Sequence, residues 1–452
     1  MSYSDAIDHL NALGVDAMKS MAPSMHRIEA MCDALDHPER VIPAIHVTGT
    51  NGKTSTARIA TSLLGATGLS VGTYTSPHLQ DVRERIALNG EPVSEEVFGE
   101  VFDHIHPYLQ QVESDLGEIL TYFELLTSMF FLWAVETPVD ALVVEVGLGG
   151  RWDATNVLPA PVSVITNISL DHTALLGTDR ASIAREKAGI IKRDAQVVTA
   201  ELSPDILRLI KEEARTTGAA LLIAFERDFH VVENNLALGG RYLTLESTHK
   251  RYEELFLPLH GSHQAVNAVT ALQAVTSFLP ASDLEQDLVA EGMSLVEVPG
   301  RVETIQGVVL DVAHNPEGMS AFVTTLLEAF AFDEVVVVLG VLADKDHKGM
   351  LTELSRLNCR IIATRPENVR SIAPSELEAA AAELDLACEV VGSVTDALAA
   401  ARRSEGDGTL VCVTGSHYVV GEARTFLLPS GTSNDEEAHD GRHTADFHHG
   451  EA

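Results

Sequence analysis

Three observations place this chain in the α/β class, as a larger doubly wound, mostly parallel sheet domain joined to a smaller Rossmann-like one. Short apolar runs alternate with helical stretches over most of the sequence, which is the signature of parallel strands joined by helical crossovers. The length of 452 residues exceeds what one ordinary core serves, so two domains are expected. The alternation also lapses near residue 228 and restarts after Val298-Pro-Gly-Arg301. The expected division is 1–298, 299–428 and a tail over 429–452.

The first unit opens with Val41-Ile-Pro-Ala-Ile-His-Val47, an apolar strand, followed by Thr48-Gly49-Thr50-Asn51-Gly52-Lys53-Thr54 and a helical stretch from Thr54 to Leu64. Strand, glycine turn, lysine with hydroxyl, and helix form a shortened phosphate-binding loop, since the usual first glycine is replaced by Val47. Backbone N–H groups at the helix start would face phosphates, Lys53 would reach the terminal ones, and Thr54 would lie near Mg²⁺. Ser70 to Thr75 reads as a second strand ending in Ser76-Pro-His-Leu79, and Asn89-Gly90 as a hairpin turn. Helical patterns cover roughly 94–111 and 121–136.

Ala141-Leu-Val-Val-Glu-Val146 is a strand carrying one carboxylate, Glu145, ahead of the glycine-rich loop Gly147 to Asn156. A buried carboxylate needs a cation or strong donors. Mg²⁺ beside the phosphates meets that need with the oxygen ligands it prefers, and an ion pair with Arg151 is the structural alternative. Strands over 161–166 and 195–199 follow, the first ending in Asp171-His172, where the histidine is as readily a metal ligand as a structural group. Lys187, at the end of a helical stretch, reads on residues alone as a helix C-terminal charge. Residues 228–257, with Gly239-Gly240 as a turn, form a small antiparallel patch, and a helix covers about 262–278.

After the break, strands are expected at 307–312, 334–339, 360–363 and 409–413, with a helix near 317–331. Asp311-Val-Ala-His314-Asn-Pro316 and Gly340-Val-Leu-Ala-Asp344-Lys345-Asp346 are polar strand-end loops, poor as core and good as substrate contacts. The tail from Pro429 to Ala452 has almost no apolar residues and is expected to be disordered, with histidines that bind metal at most loosely.

A formal charge of -35, from 66 acidic and 31 basic side chains, argues against nucleic acid or an anionic membrane surface as partner. Cys32, Cys359, Cys388 and Cys412 show no paired spacing, so neither disulfides nor a zinc site is indicated. The apolar run Leu125 to Val135 falls short of a membrane span of about 20 residues, and the start of the chain lacks signal-peptide character. A cytoplasmic location and a monomer are expected.

Taken in order, Gly49 to Thr54, Ser76-Pro-His-Leu79, Glu145 to Arg151, Leu170-Asp-His172, Glu186-Lys-Ala-Gly189, Gly300-Arg301 and Asp311 to Pro316 resemble the Mur ligase superfamily. Leu120-Thr121-Tyr122-Phe123-Glu124 and Val413 to Gly421 are similar to motifs of its folylpolyglutamate synthase/dihydrofolate synthase branch. Thr54 departs from that branch, which usually has glycine there, and matches the cell-wall ligases.

The resemblance implies ATP-dependent addition of L-glutamate to dihydropteroate and to tetrahydrofolates through an acyl phosphate, a catalysis of positioning and charge neutralisation. It also implies roles. Lys53 cradles phosphate, Ser76 and Glu145 hold one Mg²⁺, and His172, Glu145 and a carbamylated Lys187 hold a second. Asn267 and Arg301 contact nucleotide, Asp311 the ribose, Thr121, Tyr122 and Phe123 the pteroate, and His314 and Ser416 the incoming glutamate. The rival readings are a ligase for a cell-wall peptide precursor, favoured by Thr54, and a P-loop switch ATPase.

Overall fold

The computed structural model describes residues 1–14, 24–280, 284–403, 406 and 408–428. The tail expected to be disordered, from residue 429 on, lies outside the described residues. The first sheet is built from β1 (Ala44–Thr48), β2 (Val71–Tyr74), β3 (Ile86–Leu88), β4 (Glu91–Pro92), β5 (Ala141–Glu145), β6 (Val162–Ile165), β7 (Gln196–Thr199) and β8 (Leu221–Ala224). Its order is β4-β3-β2-β5-β1-β6-β7-β8. All neighbours from β2 to β8 pair parallel, while β3 and β4 add an antiparallel hairpin at the Asn89-Gly90 turn.

Each strand sends alternate side chains to opposite layers. On β5, Val143 faces the helices Lys53–Ala66 and His263–Phe278, while Leu142 and Val144 face Glu95–Leu116 and Tyr122–Glu136. The helix Tyr122–Glu136 is buried from Tyr122 to Ala134, which explains why its sequence is apolar on every side without crossing a membrane. Among the described residues no helix is long and apolar enough to span one. Truncating a buried leucine of these layers, such as Leu126, costs about 2 to 5 kcal/mol.

The patch expected over 228–257 is an antiparallel sheet of β9 (His230–Ala237), β10 (Gly240–Glu246) and β11 (Arg251–Leu257). The last sheet comprises β12 (Glu303–Ile305), β13 (Val308–Leu310), β14 (Glu334–Leu339), β15 (Cys359–Ala363), β16 (Ala387–Val390) and β17 (Thr409–Thr414), in the order β12-β13-β17-β14-β15-β16. It is parallel except for β12, which turns back onto β13 through Gln306 and Gly307, both at positive φ.

Several elements exceed the sequence reading. The expected helix over 94–111 runs Glu95–Leu116 and stops where Gly117 takes a left-handed conformation. The helices Tyr3–Leu13, His26–Ala34, Pro204–Thr217 and Gln286–Ser294, and the strands β8, β12 and β16, are additions to it. In the first sheet β1 connects to β2 on one side, and β5 leads across it to β6 on the other. Polypeptide loops leaving such a reversal open a crevice at the carboxyl ends of the strands, where ligands bind in sheets of this kind.

Candidate active site

Three loops leave the carboxyl ends of the neighbouring strands β1, β5 and β6, and the registers Val47 with Glu145 and Thr48 with Ile165 bring those ends level. The first is the phosphate loop. Gly49 has φ 153 and Gly52 φ 81, and a Cβ on Gly49 would sit 1.7 Å from Thr166 Oγ1. The helix Lys53–Ala66 that follows has no side-chain cap, so its first N–H groups are left for an anion. Lys53 Nζ folds back onto the carbonyls of Gly49 and Thr50, each at 3.2 Å, and burial lowers its pKa.

Glu145 ends β5 with 1% exposure. It accepts from Thr54 Oγ1 at 3.0 and 3.1 Å and from the Ser76 amide at 3.3 Å. Burial raises its pKa against the opposing charge of Lys53, so the carboxylate is short of positive charge. The structural alternative of a pair with Arg151 is not what forms, since Arg151 reaches Glu213 at 2.6 Å.

Beyond β6, His172 has φ 48 and stands beside Asp171. Burial, then the charge of Lys345, lowers the His172 pKa to about 4, so the imidazole is neutral and free to act as a ligand. Lys187 is buried with Nζ 2.6 Å from the Gly49 carbonyl, and burial brings its pKa down to about 7, which gives it a large neutral fraction.

The six-stranded sheet closes the other wall. Asp311, after β13, accepts from the amides of Val302 at 3.0 Å and Ala313 at 2.8 Å, and burial raises its pKa to about 6 despite Arg301. His314 Nδ1 lies 2.9 Å from the Val312 carbonyl, and its ring is 5.4 Å from that of His417. Ser416 caps the helix His417–Leu427 and donates to the Gly340 carbonyl at 2.8 Å. Arg301 reaches across to Thr54 Oγ1 at 3.5 Å.

These parts enclose a cavity of about 320 Å³. Thr50, Asn51, Gly52, Lys53, Thr54, Ser76, Tyr122, Phe123, Glu145, His172, Asn267, Arg301, Asp311, His314 and Ser416 line it. A smaller adjoining pocket takes in Gly49, Lys187 and His172 again. Thr121 is the exception among the expected residues. Its hydroxyl accepts the Glu124 amide at 3.2 Å as a helix cap behind the cleft, not on its wall.

Among the lining cations and aromatics, Lys345, Arg85, Arg370 and Tyr418 were given no individual role from sequence. Lys345 lies 2.5 Å from Asp171 Oδ1 and 3.3 Å from His172 Nε2. Arg85 donates to His78 Nδ1 at 3.0 Å and lies over the Tyr122 ring, while Arg370 lies over that of Tyr418. A basic residue in an acidic strand-end loop was the available signal for Lys345.

The donors fit a hard divalent cation. Among the described residues no three His, Cys, Asp or Glu side chains form a cage. Glu145 with the hydroxyls of Thr54 and Ser76 offers the few oxygen ligands that Mg²⁺ takes when phosphates complete its shell. Near His172 the fit is incomplete, since the Lys345 ammonium lies 3.3 Å from Nε2, the nitrogen an ion would take.

A phosphate-binding helix start facing a second, Rossmann-like sheet defines an ATP-dependent ligase of the Mur class. The family models "Mur ligase middle domain" and "Mur ligase, glutamate ligase domain" match residues 47–275 and 300–417. Within that class, the chain belongs to the dihydrofolate synthase/folylpolyglutamate synthase family. It is 39% identical over 439 residues to the dihydrofolate synthase/folylpolyglutamate synthase of Mycobacterium tuberculosis, covering 90% of each chain. The solved folylpolyglutamate synthase of Mycobacterium tuberculosis complexed with ADP superposes with a TM-score of 0.89 at 37% identity, over 94% of this chain and 98% of that one. An Escherichia coli relative in complex with DHPP and ADP gives 0.82 at 29% identity, over 94% and 97%.

Proposed function

We propose that the chain joins L-glutamate to dihydropteroate, forming dihydrofolate, and to the glutamate of tetrahydrofolates. The observation that carries this reading is one continuous cleft. It runs from the uncapped helix start at Gly52 and Lys53, past buried Glu145, to the Tyr122 and Phe123 rings, with His314 and Ser416 opposite.

The substrate carboxylate attacks the γ-phosphorus of ATP, ADP leaves, and the acyl phosphate forms. The glutamate amine then attacks the acyl carbon and phosphate leaves. Gly49 to Thr54 and Lys53 hold the phosphates in line, and Arg301 and Asn267 hold the rest of the nucleotide with Asp311 on the ribose. Tyr122 and Phe123 hold the pteridine portion, and His314 with Ser416 orients the incoming glutamate. Ser76 and Glu145 would hold one Mg²⁺, and His172, Glu145 and Lys187 a second, which would supply charge neutralisation for the transferring phosphoryl group.

Lys187 suits carbamylation, since a buried amine with a substantial neutral fraction can add CO₂ and, with loss of a proton, become an anionic oxygen ligand. A Lys187→Ala variant is expected to lose about 100-fold or more in turnover. Recovery with added formate or acetate supports the carbamate, and full activity without them removes it.

We read the chain as an ATP-binding unit over 1–298 and a closing unit over 299–428, a division supported by the two sheets on which these groups stand. All of them come from one chain, so a monomer suffices. Four cysteines outside any disulfide fit the cytoplasm. Thr54 no longer speaks for a peptide precursor, because its hydroxyl serves Glu145.

The deciding experiment is phosphate release from ATP with Mg²⁺ and glutamate, run with dihydropteroate, with tetrahydrofolate and with no acceptor. Release with both pteridines is expected. Release with dihydropteroate alone limits the enzyme to the first reaction, and release without acceptor overturns the ligase assignment.

A further inference from the structure

Asp171 stands on the loop after β6 of the larger sheet, yet its carboxylate is held by the smaller one. Lys345 Nζ lies 2.5 Å from Oδ1, while His314 Nε2 and Asn315 Nδ2 lie 3.5 and 3.4 Å from Oδ2. His314 and Asn315 follow β13 and Lys345 follows β14, so one carboxylate gathers two separate loops of the opposite wall. The Asp171 and Lys345 side chains are only 9% and 6% exposed.

The loop that presents Asp171 is braced on both sides. Behind it, the Ile168 amide donates to Glu201 at 2.9 Å and Arg180 donates to the Ile168 carbonyl at 2.8 Å. In front, Ser169 N donates to Thr50 Oγ1 at 2.9 Å and Asn51 N to Asn167 Oδ1 at 2.8 Å, which stitches it to the phosphate loop. The phosphate loop is also joined directly to the smaller sheet, by Asn51 to Glu317 at 2.7 Å and Asn315 to Asn51 at 3.0 Å, but neither contact carries a charge pair buried on both sides. Links farther out, such as Arg241 to Glu328 at 2.9 Å and Gln80 to Thr425 at 2.9 Å, involve none of the cleft groups assigned to the reaction. They join the halves without setting the loops that face the phosphates.

We propose that Asp171 is a positioning residue that fastens the smaller sheet over the phosphate loop, holding Lys345 beside that loop and His314 toward the incoming glutamate and keeping water out. The inference rests on the ligase reading. Removing the carboxylate leaves the Lys345 ammonium buried without its counter-charge, a state that favours withdrawal of its loop. An acyl phosphate formed in a loosely closed cleft meets water before it meets glutamate.

The test compares Asp171→Asn with wild type at saturating ATP and dihydropteroate, reading phosphate released and amide formed. Wild type is expected to release one phosphate per amide. Asp171→Asn is expected to release several per amide and to lose about tenfold in kcat/KM for glutamate, with KM for ATP within about threefold of wild type. The phosphate-to-amide ratio does not depend on how much of the variant is folded. Lys345→Ala should uncouple in the same direction, and the double variant should be no worse than Asp171→Asn, because Lys345 acts through that carboxylate.

A variant with wild-type coupling and wild-type glutamate kinetics overturns the proposal. Should wild type itself turn over neither pteridine, the substrate reading fails, and hydrogen exchange with a non-hydrolysable ATP analogue then decides. Faster exchange over 341–347 in Asp171→Asn sustains the fastening, and equal exchange removes it.

Discussion

Asp311 shows how burial can tune a binding residue. Its carboxyl, raised to about 6 by burial, still accepts two amides and faces Arg301. Between about pH 4 and 6 the folded protein keeps a proton that the unfolded chain has released, so this group's contribution to stability falls as pH rises through that window and is level above it. Nucleotide binding runs the other way. On the proposed role of Asp311 a ribose hydroxyl would donate to its ionised form, so ADP affinity is expected to weaken about tenfold between pH 7 and pH 5. Calorimetric titration of ADP on wild type and Asp311→Asn checks this. If the two share the same pH profile, Asp311 does not meet the ribose. Lys345 marks the limit of reading at this scale: its loop was legible as a substrate contact, but its partner Asp171 is 174 positions away, and no local pattern reports such a contact.

Among the elements, the phosphate loop was fully legible because its needs are local: an apolar strand, two glycines, and a helix without a cap. Strands with continuous valine and isoleucine runs, such as β14, were equally plain. β12 and β16 were not, since β12 has three residues and every residue of β16 is at least partly exposed, which leaves no apolar run to find. Thr121 was misleading for a physical reason. Helix capping and substrate contact favour the same hydroxyl residues, and only the fold shows that its oxygen is engaged by Glu124.

The phosphate loop also gives a sharp prediction. A Cβ at Gly49 meets Thr166 Oγ1 at 1.7 Å, and Thr166 in turn donates to the Asn51 carbonyl at 2.7 Å. Gly49→Ala therefore displaces the loop as well as straining it, by about 1 to 3 kcal/mol for the backbone alone. ATP affinity should fall at least about tenfold while the melting temperature drops by only a few degrees. Wild-type affinity in this variant would show that the loop does not hold the phosphates.

At the scale of the molecule, the charge of -35 opposes a cleft that binds polyanions. Lys53, Lys187, Arg301 and Lys345 are buried or nearly so, which makes their attraction strong at contact and short in reach. The net charge acts further out and repels ATP and polyglutamates until salt screens it, over a length of about 10 Å at 0.1 M. Two outcomes follow from the same field. Between about 0.02 and 0.3 M NaCl, relief of self-repulsion should raise the melting temperature by about 2 to 4 °C. Over that range kcat/KM for ATP should hold or rise about twofold, since the repulsion lost at long range outweighs the weaker screening of buried contacts. A steep fall in kcat/KM with salt would mean that the field at the cleft is attractive, and that the lining cations Arg85 and Arg370, not the net charge, govern how substrate arrives.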